Sequence, residues 1–275
     1  MSSTKDTEHH IIPVSLRGRT VNVAARSRPG RGPGAELVLF LHGFGCTNKS
    51  FAAAFDDASL ADLALCAIDL PGHGGTPALE RSHDLLCDYS IIVRRVVAHF
   101  NPERVHLVCH SMGGAVGVLA APDLPLGALV SIEGNLVAGD CGLISRRIAG
   151  QDRGEFTATG YEATFGPLRS SQRPDERAWG DWAATCDPAA LHEAARSLVS
   201  WCDGGDLADI YRSLPTAVYV YGQRNGLPEH LAPVVDPEAA FGVADSGHFP
   251  MIDNGPLLWP EVAEHLSRGD GAADR

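Results

Sequence analysis

The stretch VHLVCHSMGGAVGVLA, residues 105–120, decides the fold of this chain. It opens with a mostly apolar run typical of a buried strand and ends in small residues typical of a buried helix. The turn between them carries Ser111, in a pattern that places a serine at a sharp strand-to-helix elbow. The amino terminus of the helix would point at any anion forming beside that residue. Ser111 is therefore the candidate nucleophile.

Strand-like and helix-like runs alternate on both sides of this stretch. The predicted strands cover residues 11–16, 21–25, 37–41, 65–69, 105–110, 128–133, 217–221 and 239–244. Several are too uniformly apolar for a half-exposed sheet and suit strands covered by helices on both faces. The pattern predicts an α/β protein with a β-hairpin followed by βαβα units and a mostly parallel, eight-stranded sheet.

Apolar periodicity predicts helices over residues 84–100, 113–121 and 260–267, the last with Pro260 in its first turn. Residues 135–210 interrupt the alternation with helix-like pieces such as 188–199 and no convincing strand. We therefore expect a core of residues 9–134 and 211–268 and a helical insertion, the cap, at 135–210. Residues 1–8 and 269–275 are expected to be flexible tails.

Composition narrows the class of protein. Hydrophobic residues make up 44% of the chain and charged residues 20%, as in an ordinary globular protein, and the formal charge of -12 disfavours nucleic-acid and anionic-membrane partners. The start MSSTKDTEHH lacks the apolar core of a signal peptide, and no apolar run reaches the ~18 residues of a spanning helix. The expected location is cytoplasmic, and the oligomeric state stays open.

The seven cysteines are scattered and odd in number, without the close spacing of a metal site. We interpret them as reduced thiols. Neither a metal nor a cofactor is expected.

Four motifs in a fixed order resemble the α/β-hydrolase fold superfamily, from about residue 37 to residue 265. They are LFLHGFG (39–45), IDLPGHGGT (68–76), CHSMGG (109–114) and DSGHFPMID (245–253). The third departs from the G-x-S-x-G pattern, because Cys109 replaces its first glycine. The resemblance implies that His248 is the general base and that the backbone N–H groups of Phe44 and Met112 form an oxyanion hole. Asp69 in the second motif is expected to organise its turn.

The third member of the triad is less clear. Most of the superfamily places an aspartate after the next-to-last strand, where this chain has Asn225. An amide can orient an imidazole but cannot stabilise its charged form. Glu133, which ends a predicted strand in GALVSIEGN (127–135), resembles the acid of certain dehalogenases and lactone hydrolases and is our predicted acid.

Three alternatives remain for this position. Asn225 could act with a water molecule, the site could have no true acid, or another carboxylate such as Asp253 or Glu229 could take the role. Glu133 could instead be an ordinary loop carboxylate that pairs with Arg146 or Arg147.

The predicted function is that of a serine hydrolase, which cleaves a small-molecule ester or lactone through an acyl-enzyme on Ser111. Alternatives within the fold are thioester hydrolysis, carbon–carbon bond hydrolysis and cofactor-free haloperoxidase chemistry. An alternative of another class is a weakly catalytic, receptor-like protein that binds its ligand. A serine at residue 111 argues against dehalogenase or epoxide-hydrolase chemistry, because the enzymes it resembles there use a carboxylate nucleophile.

Overall fold

A computed structural model describes residues 7–31 and 36–268, with the side chain of residue 268 excepted. The strands are β1 Glu8–Leu16, β2 Arg19–Arg28, β3 Leu37–Leu41, β4 Ala64–Ile68, β5 Val105–His110, β6 Leu126–Ile132, β7 Ala217–Gly222 and β8 Ala240–Val243. The expected tails fall outside the described residues, except at residues 7 and 8, where Glu8 already begins β1.

The eight strands form one open sheet in the order β1-β2-β4-β3-β5-β6-β7-β8. β1 pairs with β2 and β2 with β4 in antiparallel register, and the remaining neighbours are parallel. The parallel strands therefore open their carboxyl ends at one edge. The mostly parallel, eight-stranded α/β sheet predicted from the sequence is confirmed.

Burial explains why the central strands are mostly apolar whereas the edge strand has buried apolar residues at alternate positions. Every residue of β3 and β5 is buried, so both faces of the sheet are covered there. At the edge, β1 buries alternate residues, Ile12, Val14 and Leu16, as expected of a strand with one face towards solvent.

The helices surround this sheet. They are α1 Leu85–Phe100, α2 Met112–Ala120, α3 Ser145–Ala149, α4 Arg153–Glu155, α5 Tyr161–Phe165, α6 Pro174–Ala183, α7 Pro188–Gly204, α8 Asp206–Ser213, α9 Pro250–Asp253 and α10 Gly255–Arg268. A π-helical turn, Phe156–Gly160, joins α4 to α5. The residues between β6 and β7 are all described and include α3 to α8 but no strand.

Most predicted element bounds shift by one to three residues in the structure, and two further differences concern α10 and α8. α10 begins at Gly255, so placing Pro260 in its first turn was wrong, and that proline lies inside the helix. The extra turn buries Leu258 and Trp259 completely, which offsets the one backbone hydrogen bond that a proline cannot donate. The expected boundary at residue 210 falls inside α8, which packs against α2.

Candidate active site

Ser111 occupies a strained turn between β5 and α2. Its φ of 52° and ψ of -120° lie outside the regions that residues with a side chain ordinarily occupy, at a cost of about 1–3 kcal/mol. Its N–H donates to the carbonyl of Ile132 over 3.0 Å, and its carbonyl accepts from the N–H of Gly114 over 2.8 Å. The neighbouring strand and the first turn of α2 thus hold the elbow in place.

Close backbone contacts explain the small residues around the elbow. A Cβ atom on Gly113 would lie 2.2 Å from the carbonyl oxygen of Leu41, so only glycine allows α2 to approach β3 this closely. Cys109 is fully buried, and a Cβ on Gly117 would lie 2.5 Å from its sulfur. The side chain that departs from the usual motif is therefore accommodated by a glycine in the second turn of the helix.

His248 follows β8 and faces the elbow. Its Nε2 atom lies 3.2 Å from the Oγ atom of Ser111, within reach of a hydrogen bond from the hydroxyl. The Nε2–H of His110, the residue before the serine, donates to the backbone carbonyl of His248 over 2.8 Å. The strand that carries Ser111 therefore also anchors the loop that carries His248.

Glu133 lies on the other side of the imidazole. Its backbone φ is 48°, an uncommon value for a residue other than glycine, and the chain turns sharply there at the end of β6. One carboxylate oxygen lies 3.3 Å from Nδ1 of His248, and the other accepts the N–H of Gly222 over 2.7 Å. With Nδ1 protonated, His248 can donate to Glu133 while its Nε2 accepts from Ser111.

The other candidate acids make different contacts. The side-chain amide of Asn225 faces Glu133, with its nitrogen 3.5 Å from both carboxylate oxygens. Asp253 accepts the N–H of Gly247 over 2.8 Å and pairs with Arg224 over 2.6 Å. Glu229 is exposed in a short 3-10 helix.

Of the two arginines named as alternative partners of Glu133, Arg146 is engaged elsewhere. Arg146 forms a bidentate pair with Asp203, over 3.0 and 2.6 Å. Among the described carboxylates, the one within hydrogen-bond distance of the His248 imidazole is Glu133.

The loop after β3 brings the Phe44 backbone close to the elbow. No turn, loop or cap hydrogen bond of the described backbone uses the N–H of Phe44 or of Met112. The loop is held from both sides. Trp179 of α6 donates its indole N–H to the carbonyl of Phe44 over 2.8 Å, and the ring of His42 accepts the N–H of Leu70 over 2.9 Å.

Asp69 has the expected place in the turn after β4. Its carboxylate accepts the N–H groups of Asn48 over 2.6 Å and Gly75 over 2.9 Å. Burial raises the pKa of this carboxyl, while these two hydrogen bonds act in the opposite direction.

Burial favours the neutral forms of three histidines, namely His110, which precedes Ser111, and His42 and His73, whose rings pack together. It lowers the pKa of His42 to about 4 and that of His73 to about 3, and it holds the pKa of His110 well below its usual range. Because Nε2 of His42 accepts a hydrogen bond, its proton sits on Nδ1, which donates to the carbonyl of Gly43. These rings therefore act as fixed neutral groups.

The space beside Ser111 is small. A cavity of about 20 Å³ is lined on its polar side by Ser111, Asn135 and His248. An open depression of about 440 Å³ lies next to it and shares three lining residues with it, Asp140, Leu143 and His248. Leu143 is 59% exposed although it is apolar. Together, Asp140, Leu143 and His248 form the wall between the outer depression and the cavity beside Ser111.

Of the aromatic residues in segment 135–210, Trp179 lines the cavity. Phe156 and Phe165 are fully buried in packing, and Trp201 donates its indole N–H to Asp84 over 2.8 Å.

Sequence reasoning missed two polar residues of this site, Asn135 and His110. The side-chain oxygen of Asn135 lies 3.3 Å from Oγ of Ser111. Both residues stand next to predicted site residues, His110 directly before Ser111 and Asn135 two positions after Glu133. That adjacency was the available signal.

Over residues 7–31 and 36–268, no cluster of histidine, cysteine or acidic side chains has the composition of a metal site. Within the same ranges, no helix has the length and apolar character needed to cross a membrane.

A serine elbow after the fifth strand of an open, mostly parallel sheet is the architecture of the α/β-hydrolase class. The chain belongs to the alpha/beta hydrolase family, whose sequence model matches residues 38–258.

Curated relatives match part of the chain. It is 37% identical over 132 residues to the dihydrolipoyllysine-residue acetyltransferase component of the acetoin cleaving system of Cupriavidus necator, which is 46% of this chain and 34% of that protein. It is 33% identical over 97 residues to an Escherichia coli 2-succinyl-6-hydroxy-2,4-cyclohexadiene-1-carboxylate synthase, 35% of this chain and 36% of that protein. The chain thus spans about a third of the length of these relatives.

Solved structures match nearly the whole chain at low identity. A thermophilic esterase from Thermogutta terrifontis has a TM-score of 0.74 at 18% identity, covering 95% of this chain and 99% of its own. A variant of the N-acyl homoserine lactonase AidH, complexed with N-hexanoyl homoserine lactone, has a TM-score of 0.74 at 17% identity, covering 96% and 99%. MenH from S. aureus has a TM-score of 0.73 at 14% identity, covering 90% and 98%. At these identities the likeness concerns the fold.

Proposed function

We propose that this chain is a serine hydrolase that cleaves a carboxylic ester or lactone through an acyl-enzyme. The observation that carries the proposal is the chain of contacts from Ser111 through His248 to Glu133, with separations of 3.2 and 3.3 Å. A nucleophile in contact with a base that is itself oriented by a third group is the arrangement that nucleophilic catalysis needs.

In the first half-reaction, the Ser111 oxygen attacks the substrate carbonyl while Nε2 of His248 takes the hydroxyl proton. Glu133 holds the proton on Nδ1 and stabilises the imidazolium that forms. The N–H groups of Phe44 and Met112 stabilise the oxyanion, an effect worth about 3–4 kcal/mol per donor in well-studied cases. His248 then gives its proton to the leaving alkoxide, and the acyl group stays on Ser111.

The substrate class is inferred from the site and from the structural neighbours. All groups proposed to act are protein side chains or backbone N–H groups, which suffice for acyl transfer. Structural neighbours named as an esterase and as an N-acyl homoserine lactonase add support for ester and lactone carbonyls. The segment 135–210 is the cap in this proposal, because Trp179 and Leu143 from it line the cavity at Ser111.

The substrate must displace part of the wall to reach the nucleophile, since the cavity of about 20 Å³ cannot hold an acyl group. The exposed Leu143 between this cavity and the outer depression is the side chain best placed to move. We therefore propose that the substrate enters from that depression.

A fluorophosphonate probe tests the proposal. We expect stoichiometric labelling of the wild type and none of a folded Ser111→Ala variant. A panel of p-nitrophenyl esters, aryl esters, lactones and acyl thioesters then separates the substrate classes, and the proposal predicts that esters or lactones turn over fastest. A folded wild type that takes no label and turns over no substrate would refute the proposal and favour a receptor-like binding protein.

A further inference from the structure

Asn135 is the second polar side chain that touches the nucleophile. It is 4% exposed, and its side-chain oxygen lies 3.3 Å from Oγ of Ser111. The Nε2 atom of His248 lies 3.2 Å from the same oxygen. Two hydrogen-bond acceptors of the site therefore flank one reacting atom.

The orientation of the Asn135 amide is fixed by its other contact. Its Nδ2 group lies 2.8 Å from the backbone carbonyl of Asp140, which can only accept, so the amide must present N–H there and its oxygen to Ser111. The carboxylate of Asp140 in turn accepts the N–H groups of Leu136 and Val137 over 2.8 and 2.9 Å. The turn that carries Asn135 is thus braced.

The turn also sits tightly against the elbow. A Cβ on Gly134 would lie 2.0 Å from Oγ of Ser131, and this glycine packs against Gly114 of the first helical turn. The N–H of Asn135 donates to the carbonyl of Ser111 over 3.2 Å. One three-residue turn, Glu133 to Asn135, therefore places the carboxylate at His248 and the amide oxygen at Ser111.

From this arrangement we infer that Asn135 is a catalytic residue of deacylation, whose side-chain oxygen accepts a hydrogen bond from the second O–H group of the attacking water. The inference rests on the acyl-enzyme function proposed above. Once Ser111 is acylated, its hydroxyl proton is gone, and the oxygen of Asn135 and Nε2 of His248 both become available to a new donor. A water molecule has two O–H bonds, and these two acceptors fix both.

Deacylation transfers one proton of the water molecule and leaves the other on its oxygen. The water oxygen bonds to the acyl carbon while its first proton moves to Nε2 of His248, and the carbonyl electron pair moves onto the oxyanion. The bond between the acyl carbon and Oγ of Ser111 then breaks, and His248 returns its proton to that oxygen. The second O–H bond stays intact and points at Asn135 throughout, so the released product is a carboxylic acid.

The size of the cavity agrees with this role. Its volume of about 20 Å³ is close to the ~10–15 Å³ that one water molecule needs by this measure, and Ser111, Asn135 and His248 supply polar partners. Phe249, Ile144 and Trp179 form apolar walls of the cavity, and His110, Asp140 and Ser145 also contribute to its lining.

Competition between water and methanol tests the inference, because methanol has a single O–H bond and needs only one acceptor. The acyl donor is p-nitrophenyl acetate, and the measured quantity is the ratio of methyl acetate to acetate formed. We expect Asn135→Leu, similar in shape but without an acceptor, to raise this ratio about tenfold, the effect of one lost hydrogen bond. Asn135→Ala should raise it similarly, and serves if the leucine variant does not fold. Gly142→Ala, an exposed position with open space at its Cβ and outside the lining of the cavity, should leave it within about twofold.

Failure of the role of Asn135 and failure of the proposed function give different results. An unchanged ratio in Asn135→Leu or Asn135→Ala, or an equal rise in Gly142→Ala, would overturn the inference. An equal slowing of acylation and hydrolysis would also overturn it and make Asn135 a positioning residue for Ser111. The initial burst of p-nitrophenolate tests the proposed function separately. A wild-type burst with an unchanged ratio refutes only the role of Asn135, whereas the absence of any acyl-enzyme in the wild type refutes both.

Discussion

Replacing Glu133 by glutamine removes the charge beside His248 and changes little else. The amide retains an oxygen that can accept the N–H of Gly222, so the turn at the end of β6 should persist. Coulomb's law for unit charges 3.3 Å apart gives about 5 kcal/mol at an effective dielectric constant of ~20. Since the His248 side chain is 25% exposed, screening reduces this to roughly 3–5 kcal/mol of imidazolium stabilisation.

That energy corresponds to a fall in kcat of about two to four orders of magnitude for Glu133→Gln. The assay is steady-state and burst-phase hydrolysis of the best ester from the panel, with thermal unfolding to establish that the variant is folded. The matched control is Asn225→Ala, which removes only the contacts at 3.5 Å to the carboxylate and should cost less than about threefold. Equal and mild losses in both variants, or a larger loss in Asn225→Ala, would refute the assignment of Glu133 as the acid.

Three further predictions concern the groups around the site. Burial lowers the pKa of His42 from about 6.5 in the unfolded chain to about 4 in the folded protein. Between these pH values the unfolded state binds one more proton than the folded state. The contribution of His42 to the free energy of unfolding is therefore complete above about pH 6.5 and decreases as the pH falls, by roughly 2–3 kcal/mol at pH 4.5. Urea unfolding at several pH values measures this, and a stability that rises on acidification would contradict it, while His42→Gln should flatten the slope. His110→Leu removes the hydrogen-bond donor to the His248 carbonyl and should lower kcat about tenfold. His110→Gln keeps a donor and should be less affected. Identical kinetics in the two variants would show that this hydrogen bond does not position the base. Gly113→Ala should destabilise the fold by about 3 kcal/mol or more, which corresponds to a Tm decrease of roughly 6–12 °C in calorimetry. The control Gly142→Ala, with open space at its Cβ, should unfold like the wild type. Equal Tm values for the two variants would contradict the close approach of α2 and β3.

The sequence predicted the sheet well because buried parallel strands carry a strong local signal. The runs at 37–41 and 105–110 match β3 and β5 residue for residue, since the first is apolar throughout, the second is mostly apolar, and both are bounded by turns. The predicted start of α10 was wrong because Pro260 was assigned to the first turn of the helix. The burial of Leu258 and Trp259 against the core, a tertiary effect, extends the helix in front of it.

The candidate site was predictable where one residue follows a strand in a fixed order. Ser111, His248 and Glu133 each stand at the carboxyl end of a strand or just beyond one, and parallel strands bring such ends together. Asn135 was missed because its contact with Ser111 depends on the sharp turn at Glu133 and on the brace from Asp140. Neither the positive φ of a glutamate nor a hydrogen bond to a carbonyl is visible in a sequence pattern.

The most direct test of the proposed mechanism is intact-protein and peptide mass spectrometry of enzyme quenched in acid during turnover of p-nitrophenyl acetate. We predict a single acetyl group on the peptide that contains Ser111, present in the wild type and absent from Ser111→Ala. Slowed deacylation in Asn135→Leu should increase its occupancy. Steady turnover with no acyl group on Ser111, or with the acyl group on another residue, would contradict the mechanism.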